Sequence, residues 1–149
     1  MTRGLKHEEL TGRVLKVFYD VYNELGHGFL ESVYQRAMAV ALCSAGLRIG
    51  EQLPIEVFFR GQQIGASAAD LVVDGVLIIE LKAARNLEPA HEAQLLNYLR
   101  ATEMEIGMLL NFGPEPQFKR MVFENSRKTR RGDPKVSSSS ASSIRENPR

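Results

Sequence analysis

A chain of 149 residues, 44% hydrophobic and 25% charged, has material for one domain with a real core and too little for two. No stretch approaches the roughly 18 to 20 uninterrupted apolar residues of a membrane span, and MTRGLKHEEL sets no apolar run behind its basic residues. A cytoplasmic protein with no membrane partner is therefore expected. The net charge of +1 is uneven: residues 126–149 hold seven Lys and Arg against two Asp and Glu, a surplus of five, which leaves residues 1–125 near −4. A binder relying on nonspecific phosphate attraction would carry a basic excess on its folded part, so global charge lends nucleic acid no support.

Along the chain, Leu10, Val14, Val17, Val21 and Leu25 recur at spacings of three and four, with Phe18 and Tyr22 widening the stripe. This pattern predicts an amphipathic helix. Gly26-His27-Gly28 interrupts it, and Leu30, Val33, Tyr34, Ala37, Met38, Ala41 and Leu42 predict a second helix stopping at Gly46, which suits the left-handed position after a helix end. Cys43 lies in that apolar run. As the single cysteine it excludes an intrachain disulfide and a cysteine-based zinc cage, and a buried inert thiol is expected.

After Pro54 the texture becomes β-branched and aromatic. Residues 55–59, the connector Arg60-Gly61-Gln62-Gln63 and a long pattern reaching Val73 predict a hairpin. Asp74-Gly75 then separates Leu71-Val72-Val73 from Val76-Leu77-Ile78-Ile79, which are apolar on both faces and belong to a covered central strand pair. Glu88-Pro89 opens a third helix running to about Ala101; residues 106–110 read as a buried strand and residues 118–123 as a final one. Beyond Ser126 the chain is basic, then serine-rich, with too few apolar residues to order itself.

Chemistry concentrates at Glu80-Leu81-Lys82. Residues i and i+2 of a strand share a face, so an acid and a base project together from the end of an otherwise apolar strand. Burying either charge is costly unless it is paired or bound to metal; the plain alternative is an ion pair at a strand end emerging into solvent. Asp70 stands in the preceding strand, and whether it shares that face depends on hairpin parity. A two-residue loop pairs it with Ile79 and turns it away. A three-residue loop, Val73-Asp74-Gly75, sets it opposite Ile78 and diagonal to Glu80, about 7 to 8 Å away. Metal binding thus requires an odd loop.

The third helix offers His91, Gln94 and Tyr98 at spacings of three and four as one polar face, with Leu95, Leu96 and Leu99 covering the other side. An ordinary partly exposed helical role serves His91 as well as a ligand role does, and Gln94 and Tyr98 suit solvated surface equally. Glu31 lies near the start of the second helix, where the helix dipole alone explains a carboxylate, and Gly28 beside it serves to turn the chain.

Taken together, Gly28-Phe29-Leu30-Glu31-Ser32-Val33-Tyr34, Asp70 with Glu80-Leu81-Lys82, Gln94-Leu95-Leu96-Asn97-Tyr98, and Asn111-Phe112-Gly113 resemble the bacterial GxxExxY protein family. That family is grouped with the PD-(D/E)xK nuclease superfamily, and the resemblance spans roughly residues 10–123. It implies an α/β fold of the restriction-endonuclease-like kind, a mixed sheet flanked by helices in the order α-α-β-β-β-α-β-β, over residues 1–125, with 126–149 as a disordered tail. It also implies roles. Asp70 and Glu80 would bind Mg²⁺ or Mn²⁺ with the backbone carbonyl of Leu81, and Glu31 would complete the site directly or through water. Lys82 would orient or help deprotonate the attacking water and balance charge at the phosphate. Gln94 and Tyr98 resemble the QxxxY element that supports the site in helicase-associated and phage-type exonucleases. Ala69 fits the small residue often found before the aspartate, but Gly65-Ala66-Ser67-Ala68 lacks the aromatic or basic residues that many relatives place there.

The resemblance implies metal-assisted phosphodiester hydrolysis, with DNA the expected nucleic-acid partner. The alternative is a nuclease-fold module that no longer cuts and works as a nucleic-acid- or protein-binding partner. A third reading is a structural domain whose charges form a surface network. A two-sided apolar sheet with Phe123 near its last strand is compatible with a homodimer without demanding one.

Overall fold

The computed structural model describes residues 7–128, so the expected tail lies outside it from residue 129 onward. α1 spans Glu8–Leu25 and buries Val14, Phe18 and Val21 of the predicted stripe together with Thr11, leaving Leu25 at its end exposed, while Glu8 and Glu9 occupy the first turn, where the dipole favours acids. α2 spans Glu31–Ser44 and buries Tyr34, Met38, Ala39 and Leu42. Gly46 adopts φ 89° and Leu47 N donates to Leu42 O at 3.1 Å, closing the helix end with the left-handed glycine that its position predicts. Cys43 is exposed, contrary to expectation. The inward stripe of α2 passes through Met38 and Leu42, and the next position along the helix turns toward solvent.

The sheet has five strands in the order β1-β2-β3-β4-β5: β1 Ile49–Phe59, β2 Gln62–Val73, β3 Leu77–Lys82, β4 Ile106–Phe112 and β5 Pro116–Val122. Only β3 and β4 run parallel, joined by α3, Pro89–Ala101; the other pairs are antiparallel. β1 starts six residues before the predicted texture change and includes Pro54, which an edge strand tolerates because its outer N–H side needs no partner. The first hairpin turns on Arg60-Gly61 alone, both left-handed at φ 50° and 81°, and Gln62 and Gln63 already pair with Phe59 and Phe58.

Two cores sandwich the sheet. Leu71, Val73, Leu77, Ile79, Leu81, Met108 and Leu110 pack with α1 and α2, and Val72, Ile78 and Leu109 pack with Leu95, Tyr98 and Leu99 of α3. β3 and β4 are covered on both faces, as their unbroken apolar runs require. Tyr34 ties the first core to the turn between the helices: its ring stacks on Phe112 at 4.0 Å, and its hydroxyl donates to Gly26 O at 2.6 Å and accepts from Phe29 N at 3.2 Å. With Gly28 at φ 115°, this bond fixes where α2 begins and therefore where Glu31 stands.

A short 3-10 turn, Asn125–Arg127, follows β5. Lys128 Nζ donates to Thr102 O at 2.9 Å and to Met104 O at 2.7 Å, taking carbonyls left open where α3 ends.

Candidate active site

The turn between β2 and β3 decides the site. Asp74 and Gly75 are both left-handed, at φ 52° and 71°, and Val76 N donates to Val73 O at 3.0 Å. Val76 is an additional residue before pairing begins, so Val73 pairs with Leu77, Val72 with Ile78 and Leu71 with Ile79. The loop is therefore odd, as a shared face requires, but shifted by one residue from the expected Val73-Asp74-Gly75. One further step of this register sets Asp70 opposite Glu80 instead of opposite Ile78, directly across rather than diagonal.

At that step side chains replace the ladder. Asp70 N donates to Glu80 Oε2 and Leu81 N donates to Asp70 Oδ2, both at 2.8 Å. Each carboxylate satisfies a backbone donor freed where the strands part, and each is drawn toward the other. Glu80 is only 3% exposed. Burial first, and then the neighbouring Asp70 charge, push its carboxyl up from 4.5 to about 7. Burial likewise raises Asp70, against the opposing effects of the Leu81 N–H and of Lys82, while Glu31 adds to the rise.

Lys82 projects beside the pair, and its ammonium donates to Gln94 Oε1 at 2.8 Å, so α3 fixes where the positive charge sits. Tyr98 is on the same helix but not on a solvated face. Its ring is 7% exposed within the second core, and its hydroxyl lies 2.5 Å from Ser67 Oγ. Burial raises its pKa, with Glu80 and Asp70 contributing from nearby. His91 closes the helix start instead of joining the site: its Nδ1 accepts from Glu88 N at 3.0 Å, and its backbone N meets the Glu88 side chain in a capping box.

Glu31 stands apart. It is exposed at the first position of α2 and accepts from Ala83 N at 3.3 Å, just past the end of β3. Among the described residues no group of three or more His, Cys, Asp and Glu side chains is close enough to hold a metal ion. What converges is a pair of hard oxygen donors that repel each other in a largely buried place, a donor set that suits Mg²⁺ or Mn²⁺ and whose repulsion a cation would relieve.

Two residues that shape this geometry were assigned no site role from the sequence, although Asn111 stands in the Asn111-Phe112-Gly113 element of the family resemblance. Asn111 is fully buried in β4; its Oδ1 accepts from Ala84 N and its Nδ2 donates to Ala84 O, both at 2.9 Å, pinning the loop after Lys82. Beside that element, the physical signal is a lone asparagine in the apolar run Ile106–Phe112, since a buried amide must find partners. Gly113 follows because any Cβ there would strike the Ala84 carbonyl oxygen. The second residue, Gln52, sits in β1 with a left-handed backbone at φ 55°.

An α/β sheet with a carboxylate pair and a lysine at the end of a central strand is the arrangement of metal-dependent phosphodiester nucleases as a class. The profile of the PD-(D/E)XK nuclease superfamily matches residues 8–121, and the chain belongs to that superfamily. No curated protein matches it. Among solved structures, the crystal structure of SSO0001 superposes with a TM-score of 0.52 at 18% identity, covering 62% of this chain and 50% of that one, which supports the shared fold. The chain thus spans about half the length of that protein. No helix among the described residues is long and apolar enough to cross a membrane.

Proposed function

We propose that this protein is a divalent-metal-dependent nuclease of the GxxExxY kind that hydrolyses phosphodiester bonds in DNA in the cytoplasm. The observation that carries the reading is the opposition of Asp70 and Glu80 across β2 and β3 with Lys82 beside them. A module with no chemistry to perform has no physical need to hold two repelling carboxylates next to an ammonium inside a sheet.

In this reading Asp70, Glu80 and the Leu81 carbonyl hold Mg²⁺ or Mn²⁺, with Glu31 reaching the site from α2 directly or through water. Such a cation, when bound, polarises the phosphate and lowers the pKa of water. Lys82, held by Gln94, orients the attacking water and balances charge at the phosphate. Tyr98 fixes the β2 segment that leads into Asp70 through its contact with Ser67.

The negative balance of residues 1–125 favours a second reading, a module that binds without cutting. Incubation with single- and double-stranded, linear and circular DNA and with RNA, in Mg²⁺, Mn²⁺ or a chelator, separates the two. Metal-dependent cleavage of DNA that is lost in Lys82→Ala is the expected result. Cleavage unchanged in that variant would remove the activity from this site, and binding without cleavage would favour the second reading.

A further inference from the structure

β1 and β2 pair in one register from Ile49 with Val73 to Glu51 with Leu71, and again from Leu53 with Ala69 to Val57 with Gly65, but the step joining Gln52 and Asp70 is missing. The hairpin changes face at this gap. Ile49, Leu71 and Val73 pack against the core of α1 and α2, whereas Leu53, Ile55 and Ala69 pack against that of α3, although each set has the same odd parity along its strand. Gln52 accommodates the switch with φ 55°, a conformation that L residues other than Asn and Asp seldom adopt. Its side chain is exposed, so packing does not hold it there. Hydrogen bonds do.

Gln52 Nε2 donates to Gln35 Oε1 at 2.7 Å, and Gln35 Nε2 donates to Glu51 Oε1 at 3.2 Å, while Glu51 also pairs with Arg36. Gln35 stands one turn after Glu31 on α2, so the two share a helix face. On its other side Gln52 faces Asp70 across the missing ladder step, and its amide acts on that carboxylate in the direction that favours the charged form.

We propose that Gln52 is a positioning residue for Asp70, set by a left-handed bulge in β1 and steadied by Gln35, so that this amide pair ties the α2 carrying Glu31 to the carboxylate pair. Bulges that re-aim a side chain recur beside active sites, and partners behind a ligand orient it. The inference rests on the metal-site reading for its catalytic consequence but not for its geometry.

Gln52→Gly is the informative variant, since glycine accepts the left-handed backbone and removes only the amide. Leu81 N donates to Asp70, so the Leu81 amide resonance in ¹⁵N-labelled protein without metal reports where that carboxylate sits. Gln52→Gly is expected to keep its melting temperature and move the Leu81 resonance. It should also weaken Mn²⁺ affinity, read from thermal stabilisation, by about tenfold, and lower kcat with KM for DNA unchanged. Gln35→Ala should move Leu81 the same way, and the double variant should be no worse than Gln52→Gly, because Gln35 acts through Gln52. A Leu81 resonance unmoved in both single variants overturns the proposal, as does a melting shift without that movement. Wild-type protein that Mn²⁺ does not stabilise would defeat the metal reading instead, and Leu81 alone would then decide the role of Gln52.

Discussion

Replacing Glu80 by Gln should stabilise the metal-free protein at alkaline pH. The carboxyl titrates near 7 in the folded protein against an ordinary 4.5. A folded-state pKa above the unfolded one means that the native state binds the proton more tightly. The stability this contributes is complete below about 4.5 and is lost as pH rises through about 7. At about 1.4 kcal/mol for each tenfold in proton affinity, the full swing is roughly 3 kcal/mol. Gln is neutral at every pH and keeps an oxygen that can accept from Asp70 N. Urea denaturation in a chelator between pH 5 and 8 should show wild type losing stability relative to Glu80→Gln with rising pH, the gap opening mostly between 5 and 7 and levelling off by 8. Saturating Mg²⁺ should narrow or reverse the gap at pH 8, because a cation binds the ionised wild-type pair and competes with protons. A gap that stays constant with pH would refute the placement of Glu80 as a buried carboxylate facing a second one.

Further outcomes follow from neighbouring contacts. Lys82→Ala should lower the rate of cleavage about 100-fold or more, and Gln94→Ala, which frees the ammonium without removing it, about tenfold, both in single-turnover assays. Asn111→Ala leaves Ala84 N and O without partners and should cost about 2 to 3 kcal/mol in denaturant unfolding, with faster hydrogen exchange at Ala84. Tyr98→Phe removes the hydroxyl contact with Ser67 while keeping the ring, and calorimetry should register about 1 kcal/mol.

The element order was readable because each segment states its period clearly: the stripe through Val14, Phe18 and Val21, the unbroken apolar runs of β3 and β4, and Pro89 opening α3. The face of Asp70 was readable only as a condition on loop parity. Asp74-Gly75 suits a tight turn, but nothing local states that Val76 stays unpaired, and that residue moves Asp70 from beside Glu80 to across from it. The spacing of Tyr98 with Gln94 left a site role and a solvated surface equally open; its ring is buried because the β1–β2 hairpin reaches over α3, a contact between segments far apart in sequence. Gln52 escaped notice for the same reason, since a glutamine in a strand announces neither its φ nor its partners on α2. Cys43 was misplaced because an apolar run of Ala and Val does not by itself say which side of α2 is inward.

The unpaired Val76 also has a genetic consequence. Gaining or losing a single codon between Val73 and Leu77 would reverse which side of the sheet every later β3 residue occupies relative to β2, separating Asp70 from Glu80 and Lys82 at one stroke. Tolerated length changes in that turn should therefore come as two residues at a time, so a library of random insertions screened for folded, cleaving protein should return even-numbered survivors there. Lineages drifting in this turn would keep the chemistry by counting.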